Sequence, residues 1–220
     1  MWKDLTPEWQ IAFEEAWLAF RNGSYPIGAA IFDAQGNLLV REHNRGAEAD
    51  SVNRYVAHAE AGALRRLDTS SYNPKTVVLY TTMEPCPMCM GTAVMSNIKH
   101  LRYAAKDPYC GCVHWKEEDP YVKGQELDYE LEAGEKEFVQ FVIQSYFELK
   151  GIERGVSDKV LRTFESYNSK AVETAKAFYK DKRLDSYAEG NNDFSVVYDE
   201  IENYFIMPSE GLRRIVGDTE

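Results

Sequence analysis

Glu84-Pro85-Cys86-Pro87-Met88-Cys89 sets two cysteines in a C-x-x-C spacing and flanks the first with prolines. Taken alone, the pair suits a redox dithiol, half of a metal site, or ordinary packing. Residues upstream decide between them. His58-Ala59-Glu60 precedes the pair, and both groups stand where a helix is expected to begin. "YVAHAEAGALRRL" reads as a helix by its Ala and Leu content, and "PMCMGTAVMSN" as the next one. Pro87 is tolerated in a first turn because its missing N–H has no helical partner there. One histidine and two cysteines make three zinc ligands, which leaves the fourth tetrahedral position for water, as in a catalytic site and unlike a closed structural one. A redox dithiol requires neither His58 nor Glu60. First-turn cysteines also gain from free backbone N–H groups and the positive helix end, which stabilise thiolates.

Around this pair the chain alternates strands with helices. Thr6-Pro7-Glu8 has the form of a helix start, followed by Trp9, Phe13, Ala16, Trp17 and Phe20 at helical spacing. "IGAAIFD" and "LLVREHN" flank the turn-like "AQGN" and predict a hairpin. "KTVVLYTTM" is a buried strand by its β-branched content, "IKHLRYAA" another, and "LDYELEA" a weaker one after a loop that runs to about Gly124. A helix is expected from about Glu135 to Lys150. The alternation implies a layered α/β domain over residues 1–150. In residues 151–220 the apolar positions recur at helical spacing twice, before and after "AEGNND". Two helices packed on the core are expected there, as a C-terminal extension.

Composition restricts the function classes. With 220 residues and 44% hydrophobic content the chain can bury a core without disulfide staples. Its N-terminus, "MWKDLTPEWQ", lacks the apolar run of a signal peptide, and no segment approaches the roughly 18 apolar residues of a membrane span. A cytoplasmic protein with no membrane partner is therefore expected, in which four cysteines do not imply a disulfide framework. The 36 acidic against 25 basic residues, a net charge of -11, disfavour nucleic acid as a partner, since phosphate binding needs clustered Lys and Arg.

H-x-E followed by P-C-x-x-C is the signature of zinc-dependent nucleobase deaminases. With "YPIGAAIFD", "HNR", "HAE", "LYTTMEPCPMCMG" and "YAAKD" beside it, the chain resembles the cytidine-deaminase-like superfamily. Within it, the resemblance is to the branch of guanine deaminases, fungal-type cytosine deaminases and bacterial tRNA adenosine deaminases. It implies a three-layer α/β/α fold around a mixed five-stranded sheet, with a deaminase domain over 1–150 and the helical extension over 151–220. It also implies a Zn2+ cofactor held by His58, Cys86 and Cys89, with Glu60 as the proton shuttle. Substrate contacts carried over by resemblance are Asn44, Ala59 and Asp107, with Pro26 and Gly28 at the pocket edge; a homodimer is implied in the same way. The implied reaction is hydrolytic deamination of a nucleobase or nucleoside, with release of ammonia. "EPCPMC" resembles the guanine and tRNA adenosine branches, whereas "YPIGAAIF" and "LYTTM" resemble the cytosine branch. A small purine-type base or nucleoside is the expected substrate, with tRNA adenosine or cytosine as alternatives. A non-enzymatic zinc scaffold would have no use for Glu60.

Plainer roles compete for several residues. Asn44 is also a common loop cap, and Asp107, before Pro108, a common turn residue. Cys110, Cys112 and His114 fall on one face of an extended segment, which suits either a second metal site or a pocket wall. Tyr109, Trp115 and Tyr121 can stack on a base or cover the core. His43 and His100 are expected to be structural.

Overall fold

Side chains along β1 (Gly28–Phe32) alternate between two faces, and this alternation sets the layers. Ala29 and Ile31 join one apolar cluster, while Phe32 meets Tyr80 on the other side, ring centroids 5.8 Å apart. The computed structural model describes residues 1–207. β1 pairs antiparallel with both β2 (Leu38–His43) and β3 (Val78–Thr81). β3, β4 (His100–Tyr103) and β5 (Asp128–Leu131) run parallel, giving a mixed five-stranded sheet in the order β2-β1-β3-β4-β5.

Helix α1 (Pro7–Arg21) lies across one face of the sheet. Its approach depends on Gly28, where a Cβ would overlap the Ala12 carbonyl oxygen and the Ala16 nitrogen. The bare Cα of Gly28 therefore serves helix–strand packing. α2 (Ala59–Arg66) and α3 (Pro87–Met95) cover the opposite face, where Leu64, Met90, Leu79 and Leu101 share a core. Two short helices follow in the stretch expected to be loop, α4 (Trp115–Glu118) and α5 (Pro120–Lys123). Asp119 starts the second by accepting from the backbone N–H of Tyr121 and Val122, both at 3.0 Å. The long α6 (Glu135–Glu153) lies on the α1 side of the sheet and completes the three-layer α/β/α arrangement.

Beyond α6 the described residues form four helices where two were expected: α7 (Lys159–Tyr167), α8 (Ser169–Lys180), α9 (Arg183–Glu189) and α10 (Phe194–Ile206). The apolar spacing runs on through Asn168, but its side chain caps α8 by accepting from Ala171 N at 3.1 Å. Lys182, with φ +52°, sets α9 apart from α8. These helices share one apolar cluster with α1 and α6, in which Phe13 packs on Phe194 and Tyr198. Residues 208–220, the last part of the expected extension, lie outside the described residues. No described helix is long and apolar enough to cross a membrane.

Candidate functional site

Two helix starts meet at the carboxyl end of β3. His58 is the N-cap of α2, which begins at Ala59, four residues into the stretch "YVAHAEAGALRRL"; before it, the Ala57 carbonyl accepts from Arg45 N at 2.9 Å. Cys86 is the N-cap of α3, and Cys89 lies in that helix's first turn, with Pro87 at its first position. His58 Nδ1 stands 3.5 Å from Cys86 Sγ and 3.6 Å from Cys89 Sγ. Zinc bonds of about 2.05 Å to nitrogen and 2.3 Å to sulfur at a tetrahedral angle require an N···S separation of about 3.6 Å. The donor set therefore fits zinc in both chemistry and spacing. Among the described residues it is the one cluster of His, Cys, Asp or Glu able to hold a metal ion.

The charges at this cluster are already divided. Hydrogen bonding from Cys89 and His58 brings the Cys86 thiol down to about 4, against the effect of burial. Cys89, the donor in that pair and itself buried, is pushed well up. The Cys86 contact raises His58. Glu60, 3% exposed, is pushed up to about 7 by burial, and its Oε2 has no hydrogen-bond partner among the described residues. A buried carboxylate oxygen left unpaired is costly in a purely structural role.

A cavity of about 430 Å3 opens beside the cluster and takes in both His58 and Asn44. Asn44 is 2% exposed; its Oδ1 accepts from Gly46 N at 2.9 Å, and its Nδ2 has no partner among the described residues. Asn44 thus caps its own loop and lines the cavity at once. A neighbouring cavity of about 440 Å3 also touches His58, but its Glu42, Arg45 and Arg66 are already paired with one another. Asn44 and the buried Glu148 do not line it. Ala59 is fully buried in the core, so only its backbone N–H, an unpaired helix-start donor, is available to a ligand.

Asp107 uses its carboxylate within its own turn. Oδ1 accepts from Tyr109 N at 2.9 Å and Cys110 N at 3.2 Å, and Oδ2 takes the Cys110 thiol at 3.1 Å. It does not line the cavity that holds Asn44 and His58. Cys112 is buried and His114 is exposed beside Glu118, so these two and Cys110 diverge rather than converge on a metal. Trp115 packs on the α2–α3 core, Tyr121 is exposed, and Tyr109 lies under Lys159 Nζ, 5.3 Å from its ring centroid. His43 and His100 both set their ring nitrogens against carboxylates, those of Glu15 and Glu48 and that of Asp128 respectively.

Two acidic residues escape a reading of the sequence. Glu84 is buried and pins the loop beneath the cysteines, its Oε1 accepting from Val113 N at 3.0 Å and its Oε2 from Asp107 N at 3.1 Å. Gly111 lies against it so closely that a Cβ would collide with the carboxylate. A charge directly after a buried strand was the available signal. Glu148 lines the cavity from α6, and its position four residues after Gln144 on a buried face was a weaker one.

Residues 7–105 match the family model described as the cytidine and deoxycytidylate deaminase zinc-binding region. A tRNA-specific adenosine deaminase of Rickettsia felis is 34% identical over 105 residues, which cover 46% of this chain and 71% of that protein. The chain belongs to the cytidine and deoxycytidylate deaminase zinc-binding family. A tRNA-specific adenosine deaminase of Bacillus subtilis is 36% identical over 105 residues, 46% of this chain and 62% of its own length, so less than two thirds of that relative is spanned. A cytosine deaminase of Candida albicans is 30% identical over 95 residues, 42% of this chain and 60% of its own. The family's zinc-binding region contains His58, Cys86 and Cys89, the three residues whose donors converge.

Proposed function

We propose that the chain is a zinc-dependent hydrolase that replaces the amino group of a nucleobase or nucleoside by oxygen and releases ammonia. The observation that carries this reading is Glu60, a buried carboxylate with an unpartnered oxygen, two residues from one donor of a zinc-matched cluster. His58, Cys86 and Cys89 would hold the ion. Zinc bound there supplies a Lewis acid that lowers the pKa of a water from about 15.7 towards about 7. Glu60 takes a proton from the attacking water and passes it to the ring nitrogen next to the amino-bearing carbon. As the C–O bond forms, that carbon becomes tetrahedral; the second water proton reaches the amine through Glu60, the C–N bond breaks and ammonia leaves. Asn44 Nδ2, without a partner among the described residues, is a donor in the same cavity suited to a substrate carbonyl.

A purine-type base or nucleoside is the favoured substrate, on the likeness of "EPCPMC" to the guanine branch. A second reading, an adenosine within tRNA, draws on the relatives named tRNA-specific adenosine deaminase. Against it stand the net charge of -11 and the pairing of two of the three "KDKRLD" cations, Lys182 with Glu153 and Arg183 with Asp181 and Glu200. The basic "LRR" stretch at 212–214 lies outside the described residues. A cytoplasmic homodimer fits the family, and the exposed Val56, Met95 and Tyr121 near the α2–α3 face supply apolar surface for a partner copy. The test is ammonia release by zinc-loaded protein over bases, nucleosides, nucleotides and a tRNA stem-loop. Turnover of a small molecule is expected. Greater efficiency on the stem-loop favours the second reading, and no ammonia from any compound refutes deamination.

A further inference from the structure

The cavity beside the metal cluster has a second polar wall. Glu148 stands on it, near the C-terminal end of α6 and only 4% exposed. Gln144 Nε2 donates to its Oε1 at 3.1 Å. Its Oε2 has no partner, and no cation pairs with the carboxylate, among the described residues. Phe147, Gly151 and Val156 form the apolar part of the lining beside it. A buried acceptor with no countercharge, opening on a cavity, gains most from a ligand that brings an N–H to it.

We propose that Glu148 is a specificity-determining residue: it accepts a hydrogen bond from a ring N–H of the substrate and so selects a free base over the corresponding nucleoside. This rests on the deaminase reading above. In a free base the nitrogen that would carry the sugar bears a proton, away from the amino group that reacts. In a nucleoside, a nucleotide or RNA the same nitrogen is alkylated and cannot donate. A carboxylate on the α6 wall therefore rewards only the free base. Asn44 Nδ2 offers the complementary donor, so the cavity presents one donor and one acceptor to a flat ring. Arg54 and Arg154 also line this cavity, and cations suit a phosphate. Both are exposed, where solvent and salt screen them, whereas the Glu148 carboxylate is shielded from screening by burial. The buried group decides.

The test compares each free base with its N-methyl counterpart: guanine with 9-methylguanine, adenine with 9-methyladenine, cytosine with 1-methylcytosine. Zinc-loaded parent, Glu148→Gln and Glu148→Asp proteins are assayed for ammonia, and the same pairs for binding by calorimetry. For the base turned over, the parent should prefer the unmethylated form about 10- to 100-fold, chiefly through KM, as expected for a hydrogen bond to a charged acceptor. Glu148→Gln should reduce that preference to a few-fold while zinc content and melting temperature stay unchanged. Glu148→Asp keeps the charge and should retain part of the preference, which covers the case in which the Gln variant folds poorly. Equal treatment of base and N-methyl base by the parent, in turnover or in binding, overturns the assignment, as does an undiminished preference in a folded Gln variant. Efficient turnover of nucleosides or of tRNA alone would overturn it while leaving deamination intact. Absence of ammonia from every compound would instead remove the deaminase reading.

Discussion

Glu84→Gln should loosen the floor of the metal site without touching a metal donor. The Glu84 carboxylate holds the loop after β4 at two points, Val113 N at 3.0 Å and Asp107 N at 3.1 Å. That loop is tied in turn to the cysteine motif, since Cys112 N donates to the Pro85 carbonyl at 2.9 Å. An amide keeps one good acceptor and turns its NH2 towards the other backbone N–H. The loss is then one charge-assisted bond, about 1.5–3 kcal/mol, plus about 1–3 kcal/mol for a buried donor left facing a donor. Partial relaxation of the loop brings the net cost to about 3–4 kcal/mol, or a fall of roughly 6–16 °C in melting temperature for a chain of this size. Gly111, which leaves the space for the carboxylate, prevents the amide from simply rotating to a roomier pose. Differential scanning calorimetry of the zinc-loaded protein measures the shift, with zinc content determined on the same samples. A melting temperature within about 2 °C of the parent would mean that the two bonds do not carry the loop.

Other expectations follow from the same geometry. Cys86→Ala should lose most of its zinc, because one of three convergent donors is gone; full metal content by elemental analysis would remove Cys86 from the site. Gly28→Ala should cost about 1–3 kcal/mol or more, since the new methyl meets the backbone of α1, and an unchanged denaturation midpoint would contradict that packing. Burial opposes charge on His43, but Glu15 at 2.8 Å and Glu48 at 2.6 Å outweigh it and hold its pKa above the ordinary value. Its contribution is therefore full below about pH 6.5 and is lost as pH rises through the elevated folded value. Glu15 and Glu48 are held low, so their share is lost on acidification below about pH 4.5. The melting temperature of the parent should decline from neutral to alkaline pH more than that of His43→Gln, and parallel curves would place the pH dependence elsewhere.

The strands and the metal donors were readable because their signals are local. Alternation in "IGAAIFD" and the β-branched run of "KTVVLYTTM" specify faces without reference to the rest of the chain. The donors lie at two helix starts, which Pro87 and the His58-Ala59-Glu60 spacing mark in sequence. What escaped depends on contacts far apart in the chain or on a competing local bond. Apolar spacing across Asn168 suggested one helix, but a side-chain cap outweighed the periodicity and split it into α7 and α8. Asp107, matched by resemblance to a substrate contact, spends its oxygens on its own turn, a use equally consistent with a residue before proline. Glu148 is separated from Asn44 by most of the domain, so its place on the cavity wall emerges only once α6 has packed on the sheet side occupied by α1.

The central claim is that Glu60 moves the protons of a hydrolytic deamination beside a metal held by His58, Cys86 and Cys89. The most direct measurement is the rate of ammonia release by Glu60→Gln relative to the parent, at equal zinc occupancy and on the best substrate of the panel. Glutamine fills the same volume but cannot accept and return a proton. Zinc should be retained and turnover should fall by about 100- to 10,000-fold, the usual range for loss of a general acid–base. Turnover within a few-fold of the parent, with zinc in place, would contradict the account.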